Sequence, residues 1–118
     1  MTALGHHLLA EFTGCDAASL ADLKGVTSAM LEAARASGAT IVTHSFHHFS
    51  PHGVSGAVII AESHLAVHTW PEHGFAAVDY FSCGFVDTGA AMAVLRVAFG
   101  ATAMETLNLT RGPLGHPG

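Results

Sequence analysis

The sequence predicts an α+β fold, a two-layer sandwich in which a mostly antiparallel sheet carries two helices on one face and pairs as a dimer. Three observations point there. Segments rich in β-branched and aromatic residues recur at 39–50, 54–61, 64–70 and 75–83, the composition of strands. Turn signals, Pro51-His52-Gly53 and Pro71-Glu72-His73-Gly74, divide them into hairpin-like pairs. Two other stretches repeat their apolar residues at helical spacing. Helices and an antiparallel sheet in one short chain pack as two layers.

Taken in order, residues 4–12 read as a first strand, stopped by the turn-prone Gly14 and Asp16. From Ala18 to Ser37, Leu20, Leu23, Met30, Leu31 and Ala34 fall on one helical face, and Gly38 supplies the C-terminal cap. The strands 39–50 and 54–61 form a hairpin, and 64–70 and 75–83 follow. Asp87 or Thr88 caps a second helix, whose Ala91, Val94, Leu95, Ala98 and Phe99 keep the spacing i, i+3, i+4, i+7, i+8 before Gly100 ends it. Residues 102–109 add a last strand, and Gly112 to Gly118 reads as a loose end.

The 118 residues suit one domain. Half are hydrophobic and 11% charged, yet no apolar run approaches the roughly 20 residues that span a bilayer. The start, Met1 to His7, lacks the basic and apolar parts of a secretory signal. The expectation is a soluble cytoplasmic protein without membrane contact. Four basic residues against nine acidic ones, a formal charge of -5, argue against a phosphate backbone as partner, so no nucleic acid is expected. Cys15 and Cys83 are too few for a disulfide framework or a thiolate zinc site; Cys15 reads as a small buried side chain.

Because side chains alternate along a strand, Ser45, His47 and Phe49 share a side, as do Ser55 and Ser63, His68 and Trp70, and Asp79, Phe81 and Cys83. Together these sets could line one surface. An aromatic, nucleophile-rich sheet face is costly to leave in water, so a substrate, a second subunit or both should cover it. Ten histidines invite a metal reading, but a strand puts His47 opposite His44 and His48, and no spacing reproduces a zinc or iron pattern. No metal is expected. Ser63 lacks the Gly-x-Ser-x-Gly elbow of serine hydrolases.

The run Phe46-His47-His48-Phe49-Ser50-Pro51-His52-Gly53-Val54-Ser55-Gly56, continuing through Ala61-Glu62-Ser63-His64 and His68-Thr69-Trp70-Pro71-Glu72 to Asp79-Tyr80-Phe81-Ser82-Cys83-Gly84, resembles the prokaryotic S-adenosylmethionine decarboxylase family. That resemblance implies a proenzyme that cuts itself between Glu62 and Ser63 into fragments 1–62 and 63–118. The Ser63 hydroxyl attacks the Glu62 carbonyl and turns the amide into an ester. Loss of the Ser63 α-proton then gives a dehydroalanine, which hydrolyses to an N-terminal pyruvoyl group. His68 matches the processing base, and Ser55 supports it through a hydrogen bond.

The resemblance further implies that the pyruvoyl carbonyl forms a Schiff base with the substrate amine and replaces pyridoxal phosphate, in keeping with a chain whose only lysine is Lys24. Cys83 matches the donor that reprotonates the substrate after carbon dioxide leaves. Phe49 and Trp70 match two stacking faces for adenine and the sulfonium, and Glu72 an acceptor for the ribose hydroxyls. The product is the aminopropyl donor for spermidine synthesis. Two alternatives stay open on the sequence: a pyruvoyl-dependent ornithine or arginine decarboxylase on the same scaffold, and an uncleaved binding subunit. A diamino acid has no use for the Phe49, Trp70 and Glu72 clamp.

Overall fold

The computed structural model describes residues 3–49 and 51–113. Strand β1 (Ala3–Thr13) leads into helices α1 (Ala17–Ala21) and α2 (Leu23–Ala36). Strands β2 (Ile41–His48), β3 (Val54–Ile60), β4 (Ser63–Trp70) and β5 (Phe75–Ser82) follow, with a 3-10 turn at Pro71–His73, then α3 (Thr88–Phe99) and β6 (Ala103–Pro113). The six strands form one sheet in the order β2-β3-β4-β5-β1-β6, and every neighbouring pair is antiparallel. The loose end expected from Gly112 onward is corrected in part, since Gly112 and Pro113 still belong to β6; residues 114–118 lie outside the described ones.

One face of the sheet is buried. Leu8, Ala10 and Phe12 of β1, Val54, Val58 and Ile60 of β3, Leu65 and Val67 of β4 and Ala76, Val78 and Tyr80 of β5 alternate inward. They meet Val26, Met30, Ala33 and Ala34 of α2 and Ala91, Met92, Leu95 and Phe99 of α3. Phe12 and Phe99 touch edge to face at 5.6 Å between ring centroids, and truncating Phe12 to alanine would cost about 3–5 kcal/mol. Glycine is needed at Gly56, where any Cβ would run into the Phe46 ring of the neighbouring strand.

Three helices, not two, cover this face. The helix expected over 18–37 breaks at Asp22, whose backbone is extended at φ -90°, ψ 104°. The Asp22 backbone closes α1 with its N–H on the Ser19 carbonyl and opens α2 with its carbonyl accepting from the Val26 N–H; its side chain makes no cap hydrogen bond, so the break lies in the extended main chain. Leu23 is consequently exposed, and Val26, Ala29 and Ala33 share the inward face with Met30 and Ala34. In α3, Ala98 points outward and Met92 takes a core position. Asp87 caps its start by accepting from the Ala90 N–H at 2.9 Å, and Gly100 ends it in the left-handed region.

Two polar links lie inside this layer. Ser37 Oγ donates to the Ala34 carbonyl and shares a 2.7 Å hydrogen bond with the Tyr80 hydroxyl. Thr69 Oγ1 donates to the Leu20 carbonyl at 2.9 Å and accepts from the Val54 N–H at 2.8 Å. Both tie a helix to the sheet, which fixes how β4 and β5 present their opposite face.

Among the described residues no helix covers the opposite face. It carries His47 of β2, Ser55 and Ile59 of β3, His64, His68 and Trp70 of β4, Phe81 of β5, His7 of β1 and Leu107 and Leu109 of β6, placed by the strand registers. Ile59, Trp70, Leu107 and Leu109 are each at least 40% exposed. No helix among the described residues is long and apolar enough to cross a membrane.

Candidate active site

Ser63 opens β4 directly after the two-residue turn Ala61-Glu62, because Ile60 and Ser63 are cross-strand partners. Its Oγ donates to the carbonyl oxygen of Glu62 at 2.6 Å and accepts from the backbone N–H of Cys83 at 3.0 Å. Glu62 has φ +63°, and it is the one described residue other than glycine with a positive φ. Cys83 follows the last residue of β5, so the end of that strand delivers it to the turn; its thiol is free and exposed. Three of the residues singled out in the sequence, Glu62, Ser63 and Cys83, are thus brought together. A hydroxyl against a carbonyl is the arrangement an acyl shift needs.

A second group lies at the far end of β4. Ser55 and His68 are partners across β3 and β4, and Ser55 Oγ lies 2.8 Å from His68 Nδ1. Phe49, Ser55, His68, Trp70 and Glu72, together with the turn Pro51-His52-Gly53, line a cavity of about 280 Å³. The Trp70 ring rests on Phe75 at 5.5 Å between centroids, and Phe49 meets His47 edge-on at 4.6 Å. Both rings remain partly exposed, at 40% and 53%. Glu72 stands exposed on the 3-10 turn. Two aromatic faces and a carboxylate around a hollow suit a flat, hydroxylated, cationic ligand.

The structure does not bring these two groups together within one chain. Ser63 and His68 stand five positions apart along an extended strand, a span of roughly 16 Å. Nor do Ser55 and Ser63 share a side, as counting along the strands suggests. The register sets Ser63 against the buried Ile60, on the pleat of Leu65 and Val67, whereas Ser55 pairs with His68 on the opposite pleat. The misreading arose from assigning a common face to two strands before their pairing was known; a shift by one residue exchanges faces.

Sequence reasoning also missed the side chains beside Ser63 on the open face. His64 stacks on Phe81 at 5.7 Å, and His7 meets the same ring edge-on at 5.8 Å. Their signal was present, since His64 adjoins Ser63, but the contact with His7 needs the β1–β5 pairing. Among the described residues no group of three histidine, cysteine or acidic side chains is placed to hold a metal ion. Cys15 is half-buried, and burial pushes its thiol above the usual range, which suits a packing role.

The comparisons with known proteins agree with one another. Residues 6–112 match the family model described as S-adenosylmethionine decarboxylase. The chain is 57% identical over 113 residues to the S-adenosylmethionine decarboxylase proenzyme of Acidithiobacillus ferrooxidans, covering 95% of this chain and 85% of that one. It is 49% identical over 113 residues to the proenzyme of the same description from Thermotoga petrophila, covering 95% and 87%. The crystal structure of the adenosylmethionine decarboxylase from Aquifex aeolicus superimposes with a TM-score of 0.87 at 29% identity, over 100% of this chain and 98% of that one. A hydroxyl set against its own preceding carbonyl, on this six-stranded sheet, therefore belongs to a member of the S-adenosylmethionine decarboxylase family, a carboxy-lyase made as a proenzyme.

Proposed function

We propose that the chain cuts itself between Glu62 and Ser63, becomes a pyruvoyl enzyme, and decarboxylates S-adenosylmethionine at a site completed by a second copy. The observation that carries this reading is the 2.6 Å contact between Ser63 Oγ and the Glu62 carbonyl oxygen. In the first step the Oγ–C bond forms and the Glu62–Ser63 C–N bond breaks. The hydroxyl proton passes to the released nitrogen. Removal of the Ser63 α-proton then expels the Glu62 carboxylate, and water replaces the nitrogen, which leaves as ammonia. The residues fit the group so formed: it would stand at the head of β4, facing the Cys83 N–H that now holds Ser63 Oγ. A pyruvoyl carbonyl supplies an electron sink for the bond that releases carbon dioxide.

Every other role falls to side chains of the protein. His68 takes protons at Nε2, with Ser55 fixing Nδ1. The thiol of Cys83 donates a proton to the substrate carbon that has lost its carboxylate. Phe49 and Trp70 clamp the adenine and sulfonium, and Glu72 accepts the ribose hydroxyls. A formal charge of -5 draws in a substrate with a cationic sulfur.

On this reading a second copy bridges the roughly 16 Å between Ser63 and His68. If two open sheet faces meet around a two-fold axis, the Ser63 end of one chain lies over the Ser55–His68 end of the other, twice by symmetry. Exposed Ile59, Leu107 and Leu109 on that face supply the apolar area such an interface buries. Intact mass tests the first step: fragments of residues 1–62 and 63–118 are expected, the second starting with a ketone that takes up hydride. Carbon dioxide released from S-adenosylmethionine, and not from ornithine or arginine, tests the substrate. A whole chain without a reactive carbonyl overturns the reading.

A further inference from the structure

We infer that strain held in the backbone of Glu62 activates the peptide bond that follows it, so that the turn itself is part of the cleavage machinery. This rests on the self-cleavage proposed above and assigns Glu62 a positioning role through its main chain. Ala61 and Glu62 alone connect β3 to β4, since Ile60 and Ser63 already pair. Of the two, only Glu62 has a positive φ, +63°. A positive φ at the second central residue alone is the pattern of a type II turn, which asks for glycine there. It also twists against the flanking strands, for which the mirror-image turns are the favoured links.

A glutamate at this position is doubly ill-suited: its Cβ crowds the backbone, and the turn type opposes the sheet. It is held there by its surroundings. Six registered pairs join β3 to β4, the Ala61 N–H donates to the Thr40 carbonyl at 2.9 Å, and the Cys83 N–H fixes Ser63 Oγ at 3.0 Å. The chain uses glycine at the other five positive-φ positions among the described residues, Gly14, Gly38, Gly74, Gly100 and Gly112. The exception falls on the residue whose carbonyl Ser63 attacks.

The acyl shift relieves this strain by its own geometry. In the amide a single atom, the Ser63 nitrogen, links the Glu62 carbonyl carbon to the Ser63 α-carbon. In the ester two atoms, Oγ and Cβ, do so, while the nitrogen leaves the path with the proton from the hydroxyl. The loop gains one bond, and Glu62 is free to leave the left-handed region. Free energy stored in the precursor and released toward the ester speeds cleavage.

The test compares Glu62→Ala with Glu62→Gly. Both remove the carboxylate, but only alanine keeps the Cβ that makes a positive φ costly. Cleavage followed by denaturing electrophoresis should be about tenfold slower in Glu62→Gly than in Glu62→Ala, equivalent to about 1.4 kcal/mol. In a Ser63→Ala background, which cannot react, Glu62→Gly should instead unfold a few degrees higher than Glu62→Ala. Simple damage to the turn would lower both quantities, so opposite signs are the signature of strain. Equal or faster cleavage in Glu62→Gly, or a midpoint no higher than that of Glu62→Ala, overturns the inference while leaving self-cleavage intact. A wild-type chain that stays whole overturns both.

Discussion

Ser55 Oγ and His68 Nδ1 lie 2.8 Å apart across the β3–β4 pair, which ties up one ring nitrogen and leaves Nε2 free above the open face of the sheet. If His68 is the base proposed above, its own Ser63 is out of reach along the strand. On the proposed reading, the proton His68 removes belongs to another copy.

Mixing two inactive chains checks this. Ser63→Ala lacks the nucleophile and His68→Ala the base, so each alone should remain uncut or nearly so. Co-expressed, they form mixed dimers with one intact combination, the serine of one and the histidine of the other. Intact mass should then show a 63–118 fragment carrying the His68→Ala substitution. Its absence, with mixed dimers demonstrably present, would confine the base to its own chain.

Cys83 should separate maturation from turnover. Its backbone N–H, which holds Ser63 Oγ, survives in Cys83→Ala, so that variant should still be cut. Without the thiol, decarboxylation should fall about 100-fold or more, the range for loss of a general acid. Rates of fragment formation and of carbon dioxide release, measured on one preparation, read the two effects apart.

Trp70→Ala or Phe49→Ala removes one wall of the cavity. Loss of a stacking face costs about 1–3 kcal/mol, so KM for S-adenosylmethionine should rise roughly 5-fold to 150-fold. Self-cleavage, which involves no adenine, should change far less. Replacing Trp70 by Phe should restore most of the affinity.

Tyr80, the only tyrosine, gives a spectroscopic handle on the buried layer. Burial pushes its phenol above the usual range, while the Ser37 hydrogen bond pulls the other way. Because the folded protein resists deprotonation, this stability is complete below the unfolded value of about 10 and is lost as pH rises from there through the higher folded value. Phenolate absorbance should appear late in the native protein, and thermal midpoints should drop more steeply above pH ~10 in the wild type than in Tyr80→Phe. At neutral pH, Ser37→Ala should destabilise by about 1–3 kcal/mol by stranding the hydroxyl. Tyr80→Phe should cost less, since Ser37 keeps its bond to Ala34.

Much of this was legible before the structure. The turns at Pro51-His52-Gly53 and Pro71–Gly74, the Asp87 cap and the Gly100 stop lie where local chemistry puts them, because each depends on a few adjacent residues. The break at Asp22 was not, since an aspartate between two apolar stretches suits a helix surface as well as a helix boundary. For the site, Glu62, Ser63 and Cys83 converge as the sequence motifs imply. The distance from Ser63 to His68 was hidden by their proximity in sequence: five residues are close on a helix and far apart on a strand. Which pleat Ser63 occupies depends on its partner Ile60, information that no single strand contains.

The order of the strands decides what would happen to the pieces if the chain is cut where proposed. Residues 1–62 own β1, β2 and β3, and residues 63–118 own β4, β5 and β6, but the sheet shuffles them: β1 is wedged between β5 and β6. Neither fragment can leave without unzipping hydrogen bonds on both sides of that intruding strand as well as along the β3–β4 seam. The proposed cut would thereby be a nick in an interlocked whole, and the new terminus could carry chemistry without the molecule coming apart.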